Sequence, residues 1–200
     1  MAKIVYHQDT IAAIATPFGE GAVGIVRLSG PEALAITGKV FIAKNKKPIS
    51  SMRSFSLRYG WVVDGEGKAL DEVIVSLMRG PKSYTREDVV EINSHGGARA
   101  LSSILELVLG NGARSAQPGE FTKRAFLNGR LDLTQAEAVL DIIQAKSDLA
   151  LKVSMSQLSG EVGRCLAELR DKLIVMLADM EAEIDFSEEG VTSGYGQDFA

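Results

Sequence analysis

Residues 9–31 read DTIAAIATPFGEGAVGIVRLSGP, and within them Gly19-Glu20-Gly21-Ala22-Val23-Gly24 matches the G-x-G-x-x-G pattern of dinucleotide-binding turns. The residues that follow decide the fold. In a dinucleotide site the third glycine opens a helix whose N-terminus meets the pyrophosphate, but Gly24-Ile25-Val26-Arg27-Leu28 is β-branched and predicts a strand. The glycines therefore predict a connection between two strands, at 10–16 and 22–28, with Arg27 near the end of the second. Ser29 is expected to cap a helix that starts through Pro31 and Glu32 and carries Leu34, Ile36 and Val40.

Working outward, two more β-rich runs at 54–63 and 69–78 flank Asp64-Gly65, a hairpin signal that predicts antiparallel pairing. A fifth strand is expected at 88–93. His95-Gly96-Gly97 then reads as a tight turn into the apolar helix ALSSILELVLG, closed by Gly110-Asn111-Gly112. Five strands with two helices predict an α+β fold, a mixed β-sheet with helices. After Pro118-Gly119-Glu120 the period changes. A short helix is expected at 121–128, and Thr134-x-x-Glu137 is a candidate capping box for a longer one. Leu166, Leu169, Leu173, Leu177, Met180 and Ile184 recur at spacings of three and four, the stripe of an amphipathic helix that faces other helices. Glu181, Glu183, Asp185, Glu188 and Glu189 form an acidic exit before the linker-like tail VTSGYGQDFA. The expected organisation is a first domain at 1–118 and an all-α helical arm at 119–200.

Composition narrows the function classes. Two hundred residues with 46% hydrophobic content can bury a proper core. A net charge of −4 argues against a free-standing nucleic-acid binder that relies on a basic face. One cysteine, Cys165, cannot form an internal disulfide; a reducing cytoplasm and a core position are expected for it. With only His7 and His95 beside that cysteine, neither a zinc site nor a Cys-His nucleophile pair is expected. His7, in the N-terminal extension, carries no expected role. No run is long enough for a signal segment or a membrane span. No G-x-x-x-x-G-K-[ST] sequence occurs, so the chain lacks a P-loop and is not expected to hydrolyse GTP.

Four segments in order, DTIAAIATPFGEGAVGIVRLSGP at 9–31, SYTREDVVEINSHGG at 83–97, PGEFTKRAFLNGRLDLTQAEAVLDII at 118–143 and EIDFSEE at 183–189, together resemble the MnmE (TrmE) family of tRNA-modifying GTPases. The resemblance implies an N-terminal domain akin to the tetrahydrofolate-binding domain of aminomethyltransferases, which binds 5-formyl-tetrahydrofolate and mediates homodimerisation. A helical domain follows, interrupted in the family by a G domain that this chain is expected to lack; its helices are then expected to fray or aggregate through their uncovered apolar face. Potassium, magnesium and GTP would belong to that G domain. The implied function is a folate module for modification of the tRNA wobble uridine U34, carried out in the cytoplasm with the FAD-dependent partner MnmG. Contact with tRNA is expected through that complex.

The family's folate contacts carry over to Arg27 of GIVRLSG, Glu91 of EDVVE and Arg130 of FLNGR. The chemistry agrees. A pterin ring offers a ring N–H beside an exocyclic amine, which a carboxylate such as Glu91 accepts bidentately, while arginines suit the carboxylates of a glutamate tail or a carbonyl oxygen. Tyr84 and Phe18 are candidates to stack on the ring, against the plainer reading of core packing, and His95 either lines the pocket or is a satisfied turn residue. Without the resemblance, Arg27 reads as pairing with a surface acid, Glu91 as a solvated strand residue and Arg130 as a helix cap. Two rivals follow: a stand-alone folate-dependent aminomethyltransferase-like protein, which should continue into β domains, and a ligand-free dimerisation scaffold.

Overall fold

The computed structural model describes residues 9–17 and 19–185. His7, Phe18, the acidic pair Glu188 and Glu189 and the tail VTSGYGQDFA lie outside the described residues. The chain divides into two compact units, the first ending at Leu131 and the second beginning at Asp132.

The first unit runs β1 (Ile11–Ile14), β2 (Gly21–Ser29), α1 (Ala33–Val40), β3 (Phe41–Ala43), β4 (Ser56–Val63), β5 (Ala69–Met78), β6 (Val89–Gly96), α2 (Ala98–Gly110), β7 (Arg114–Ser115) and α3 (Glu120–Leu127). Its strands form one sheet in the order β3-β4-β5-β6-β2-β1-β7, antiparallel throughout except for β1 beside β7. The α+β expectation holds, with two strands more than the five read from the sequence. Both extra strands, β3 and β7, lie at sheet edges and are three and two residues long, too short for an alternating pattern to register.

Alternation gives the sheet two different faces. The row Val26, Ile92 and Val75 crosses β2, β6 and β5 in register and is fully buried. It shares one apolar cluster with Ile36 and Val40 of α1 and with Leu101, Ile104 and Val108 of α2. Burying each such side chain is worth about 1.5–3 kcal/mol, which makes this face the energetic centre of the unit. Gly24 lies on it too: a Cβ there would stand 2.6 Å from the Leu101 side chain. The third glycine of the apparent fingerprint thus lets α2 approach β2, and no phosphate-binding turn is built.

Three local expectations are corrected. Ser29 does not cap α1; it ends β2, and the Glu32 amide instead donates to Thr10 Oγ1 at 2.9 Å. The expected antiparallel β4–β5 hairpin is present; its left-handed residue is Gly67 (φ 81°), and Asp64 Oδ1 accepts from the Glu66 and Lys68 amides. His95 and Gly96 are strand, not turn, because β6 keeps pairing with β2 as far as Gly96 opposite Gly21. The capping box is Asp132 with Gln135, one of whose bonds runs from the Gln135 amide to Asp132 Oδ1 at 2.7 Å. Thr134 falls inside the helix and donates to the same carboxylate, which starts the helix two residues early.

The second unit contains α4 (Leu133–Gln144), α5 (Asp148–Leu158) and α6 (Glu161–Asp185). No residue of α6 is buried, and its stripe from Leu166 to Ile184 is more than half exposed at each of the six positions named above. Cys165, expected in a core, is exposed on this same helix, where nothing covers it within the described residues. Among the described residues no helix is long and apolar enough to cross a membrane.

Gly24→Ala is expected to destabilise the first unit by about 1–3 kcal/mol through overpacking. Combined with Leu101→Ala, it should cost at least about 0.5 kcal/mol less than the two single losses together, since both act on one contact. Urea unfolding of the four proteins of the cycle measures this coupling.

Candidate functional site

On the sheet face away from α1 and α2, strand register places Arg27 of β2 opposite Glu91 of β6, and Glu91 opposite Ser76 of β5. Arg27 Nε and Nη2 both donate to Glu91 Oε1, at 2.8 and 2.7 Å. Among the described residues the other carboxylate oxygen, Oε2, meets only the Ser76 hydroxyl, at the long distance of 3.5 Å. The two side chains keep 27% and 19% of their surface, so the pair is open to a ligand as well as to water.

Two elements converge on this pair. The 79–88 segment brings Tyr84, whose ring centre lies 5.7 Å from Arg27 Cζ and 4.7 Å from Arg130 Cζ, and α3 brings Phe121, 5.6 Å from Arg27 Cζ. These are cation–π distances. The Tyr84 hydroxyl is 2.9 Å from Thr122 Oγ1, so the ring is tied to α3 rather than sunk in the core. Arg27 and Arg130, expected as site residues from widely separated sequence motifs, therefore flank a single aromatic ring, and Glu91 is joined to them through its ion pair with Arg27.

Local chemistry explains why each piece points there. Ser29 Oγ lies 2.6 Å from buried Thr85 Oγ1 and donates to Glu87 Oε2 at 2.6 Å, and Asn128 Nδ2 donates to the Thr85 carbonyl at 2.6 Å. Those bonds clamp the Tyr84 segment between β2 and the end of α3. Helix α3 ends in a Schellman motif: Gly129 takes the left-handed conformation (φ 71°), its amide donates to Phe126 O, and the Arg130 amide donates to Ala125 O. A residue with a Cβ is strained at that φ, so the Asn-Gly pair in FLNGR sets the direction in which Arg130 leaves the helix.

The other end of α3 is held by charge. Arg124 Nη2 meets Asp9 Oδ1 at 2.6 Å and its Nη1 meets Glu87 Oε1 at 3.2 Å; Arg114 Nε meets Asp9 Oδ2 at 2.6 Å and its Nη2 meets Glu120 Oε1 at 2.5 Å. These residues line a groove of about 560 Å³ that does not include the Arg27–Glu91 pair. Burial raises the Asp9 carboxyl, but hydrogen bonds and charge from Arg114 and Arg124 outweigh it and hold the group below its usual value. Glu120 is held down to about 2, first by its hydrogen bond from Arg114. Sequence reasoning missed this network because its members are up to 115 residues apart. The one local signal was the acid at Glu120 opening a helix.

His95 stands four residues along β6 from Glu91, about 13 Å at strand rise, and does not join the cluster. Its Nδ1 lies 2.6 Å from Asp71 Oδ1, a hydrogen bond that raises the imidazole pKa above the ordinary value.

Glu120 is a stronger acid in the folded than in the unfolded chain. Its stabilising contribution is therefore complete above the ordinary value near 4.5 and is lost as pH falls toward about 2. Thermal unfolding followed from pH 6 to pH 2 should show this loss. Glu120→Gln should remove part of the pH dependence and cost about 2 kcal/mol at neutral pH, where the wild-type chain keeps its charged hydrogen bonds.

Two family descriptions match the chain: GTP-binding protein TrmE N-terminus over residues 10–130, and MnmE helical domain over residues 133–198. Among curated proteins it is similar to the tRNA modification GTPase MnmE of Carboxydothermus hydrogenoformans, 57% identical over 182 residues, covering 90% of this chain and 40% of that protein. Moorella thermoacetica supplies another of that name at 56% over 183 residues, covering 91% and 40%. A third, from Alkaliphilus oremlandii, is 53% identical over 188 residues, covering 94% and 41%. The chain spans about two fifths of the length of these relatives. With one family matched over more than half of its residues, and a second over most of the rest, the chain belongs to the MnmE (TrmE) family of tRNA modification GTPases.

Proposed function

We propose that the first unit, in the expected domain at 1–118 together with α3 and Arg130, binds a one-carbon tetrahydrofolate such as 5-formyl-tetrahydrofolate. The observation that carries this reading is the convergence of Arg27 and Arg130 on the Tyr84 ring, with Glu91 paired to Arg27. Glu91 Oε2 has acceptor capacity left over, because both Arg27 donors fall on Oε1. A pterin's adjacent N–H and amine groups suit such an oxygen, with Arg27 holding the carboxylate in place. Arg130 is exposed, so its guanidinium is placed to meet a carboxylate of the glutamate tail at the rim. The bound folate would supply the one-carbon unit; the protein residues bind and orient it.

In this reading the chain is the N-terminal module of a cytoplasmic GTPase system that modifies wobble uridine U34 of tRNA with FAD-dependent MnmG. GTP hydrolysis with potassium and magnesium belongs to a G domain outside these residues. The exposed leucine stripe of α6 supports a second part of the helical domain packing onto this one. Family membership also supports a homodimer through residues before Pro118.

Calorimetric titration of 5-formyl-tetrahydrofolate should show saturable binding, weakened about ten- to a hundredfold by Arg27→Ala and by Glu91→Ala. No binding to a folded dimer would overturn the folate reading and favour a dimerisation scaffold. Light scattering at micromolar concentration should give twice the chain mass; a monomer alone would sink the homodimer.

A further inference from the structure

Between Ala33 and Val63 the chain carries six cations, Lys39, Lys44, Lys46, Lys47, Arg53 and Arg58, and no carboxylate. The whole chain has 22 Lys and Arg against 26 Asp and Glu, so the other 169 residues hold 16 cations and 26 acids, a charge of −10 beside a stretch of +6. Five of the six gather at one corner of the sheet. Lys44, Arg53 and Arg58 line a groove of about 560 Å³ with Asn45 and Tyr59, and no carboxylate lines it. Lys46 and Lys47 are exposed in the adjoining loop.

The corner is built to hold its shape. Arg58 Nη1 donates to the carbonyls of Lys47 and Pro48 at 3.0 and 2.6 Å, tying the lysine loop to β4, and Arg79 Nη2 donates to Ser50 O at 3.0 Å. Lys44 Nζ stands 5.2 Å from the Tyr59 ring centre, and Tyr59 lies 5.6 Å from Trp61. Phe55 sits two residues from Arg53, 68% exposed and in the left-handed conformation (φ 58°), an uncommon state for a bulky side chain. A lysine beside the short edge strand β3 would be explained by protection against edge-to-edge pairing. That purpose does not require Arg53, an exposed phenylalanine, or the exclusion of acids over 31 residues.

We propose that this β3–β4 corner is an RNA-docking surface, with the cations on phosphates and Phe55 and Tyr59 stacking on unpaired bases, and that its partner is the loop of a tRNA. Cations interleaved with exposed aromatics suit single-stranded RNA, where the phosphate chain is neutralised and splayed bases find a π-face. The choice of tRNA rests on the reading of the chain as a tRNA-modification module.

The test uses the full chain, a fluorescently labelled unmodified tRNA transcript and a range of salt concentrations. The triple variant Lys44→Glu, Lys47→Glu, Arg53→Glu leaves Arg58 and the left-handed Lys46 in place. It should lower affinity at least about tenfold and flatten the slope of log K against log salt by about 2. The control triple Lys146→Glu, Lys152→Glu, Lys172→Glu, with the same change in net charge, should change affinity less than about twofold. Phe55→Ala should weaken tRNA binding about five- to tenfold and leave heparin binding unchanged, which separates base stacking from general attraction to polyanions. Equal losses in the two triples, or binding of acidic phospholipid vesicles but not of tRNA, would overturn the surface. Titrating 5-formyl-tetrahydrofolate into the same proteins separates the two readings: intact folate binding with no tRNA binding removes the RNA surface alone.

Discussion

The pairing register of β2 and β6 is the constraint on which the first unit depends. It sets Val26 against Ile92 on the face covered by α1 and α2, and Arg27 against Glu91 on the face away from them. Side chains alternate with a period of two, so a slip of one residue would carry the arginine and the carboxylate under the helices and expose the valine and isoleucine. Burying charge without full compensation costs far more than an apolar residue gains from the same place. The hydrophobic core and the candidate ligand site are thus two readings of one ladder, and neither can move without the other.

What turns that ladder into a site is charge and hydrogen bonding. The Tyr84 segment and α3 cover part of the sheet's second face, and they are fastened by Ser29, Thr85 and Asn128 at one end and by the Arg114–Arg124 network at the other. Single surface ion pairs contribute little, but Arg124 is only 11% exposed and serves Asp9, Glu87 and Glu120 together. Removing one partner from such a cluster leaves the others desolvated and underpaired, which is why polar networks of this kind set geometry more sharply than their average energy suggests. Tyr84, Phe121 and Arg130 inherit their positions from it.

The second unit obeys a different balance. Its helices are well started, by the Asp132–Gln135 box and by Ser147, whose hydroxyl accepts from the Ala150 amide. Caps determine where helices begin; packing of an apolar face supplies most of their stability. Within the described residues α6 has a long apolar stripe and no buried residue, so its sequence specifies a packing surface that the described residues do not cover.

Sequence by itself determined the α+β class, the antiparallel hairpin and the switch to helices after Pro118, because these follow from short-range periodicity and turn chemistry. It also excluded a dinucleotide fold, since β-branched residues follow Gly24. Motif likeness singled out Arg27, Glu91 and Arg130, yet nothing in their spacing could say that they meet. Tertiary structure alone decided that: cross-strand register joins the first two, and a helix end turned by Gly129 and a clamped tyrosine bring in the third. At Ser29 and Thr134 the local capping option is outcompeted by a better-placed partner, Glu87 for the first and the Asp132–Gln135 box for the second. Short-range patterns choose the elements because they depend on neighbouring residues; contacts across 64 or 115 positions depend on the path of the whole chain, and only the folded molecule reveals them.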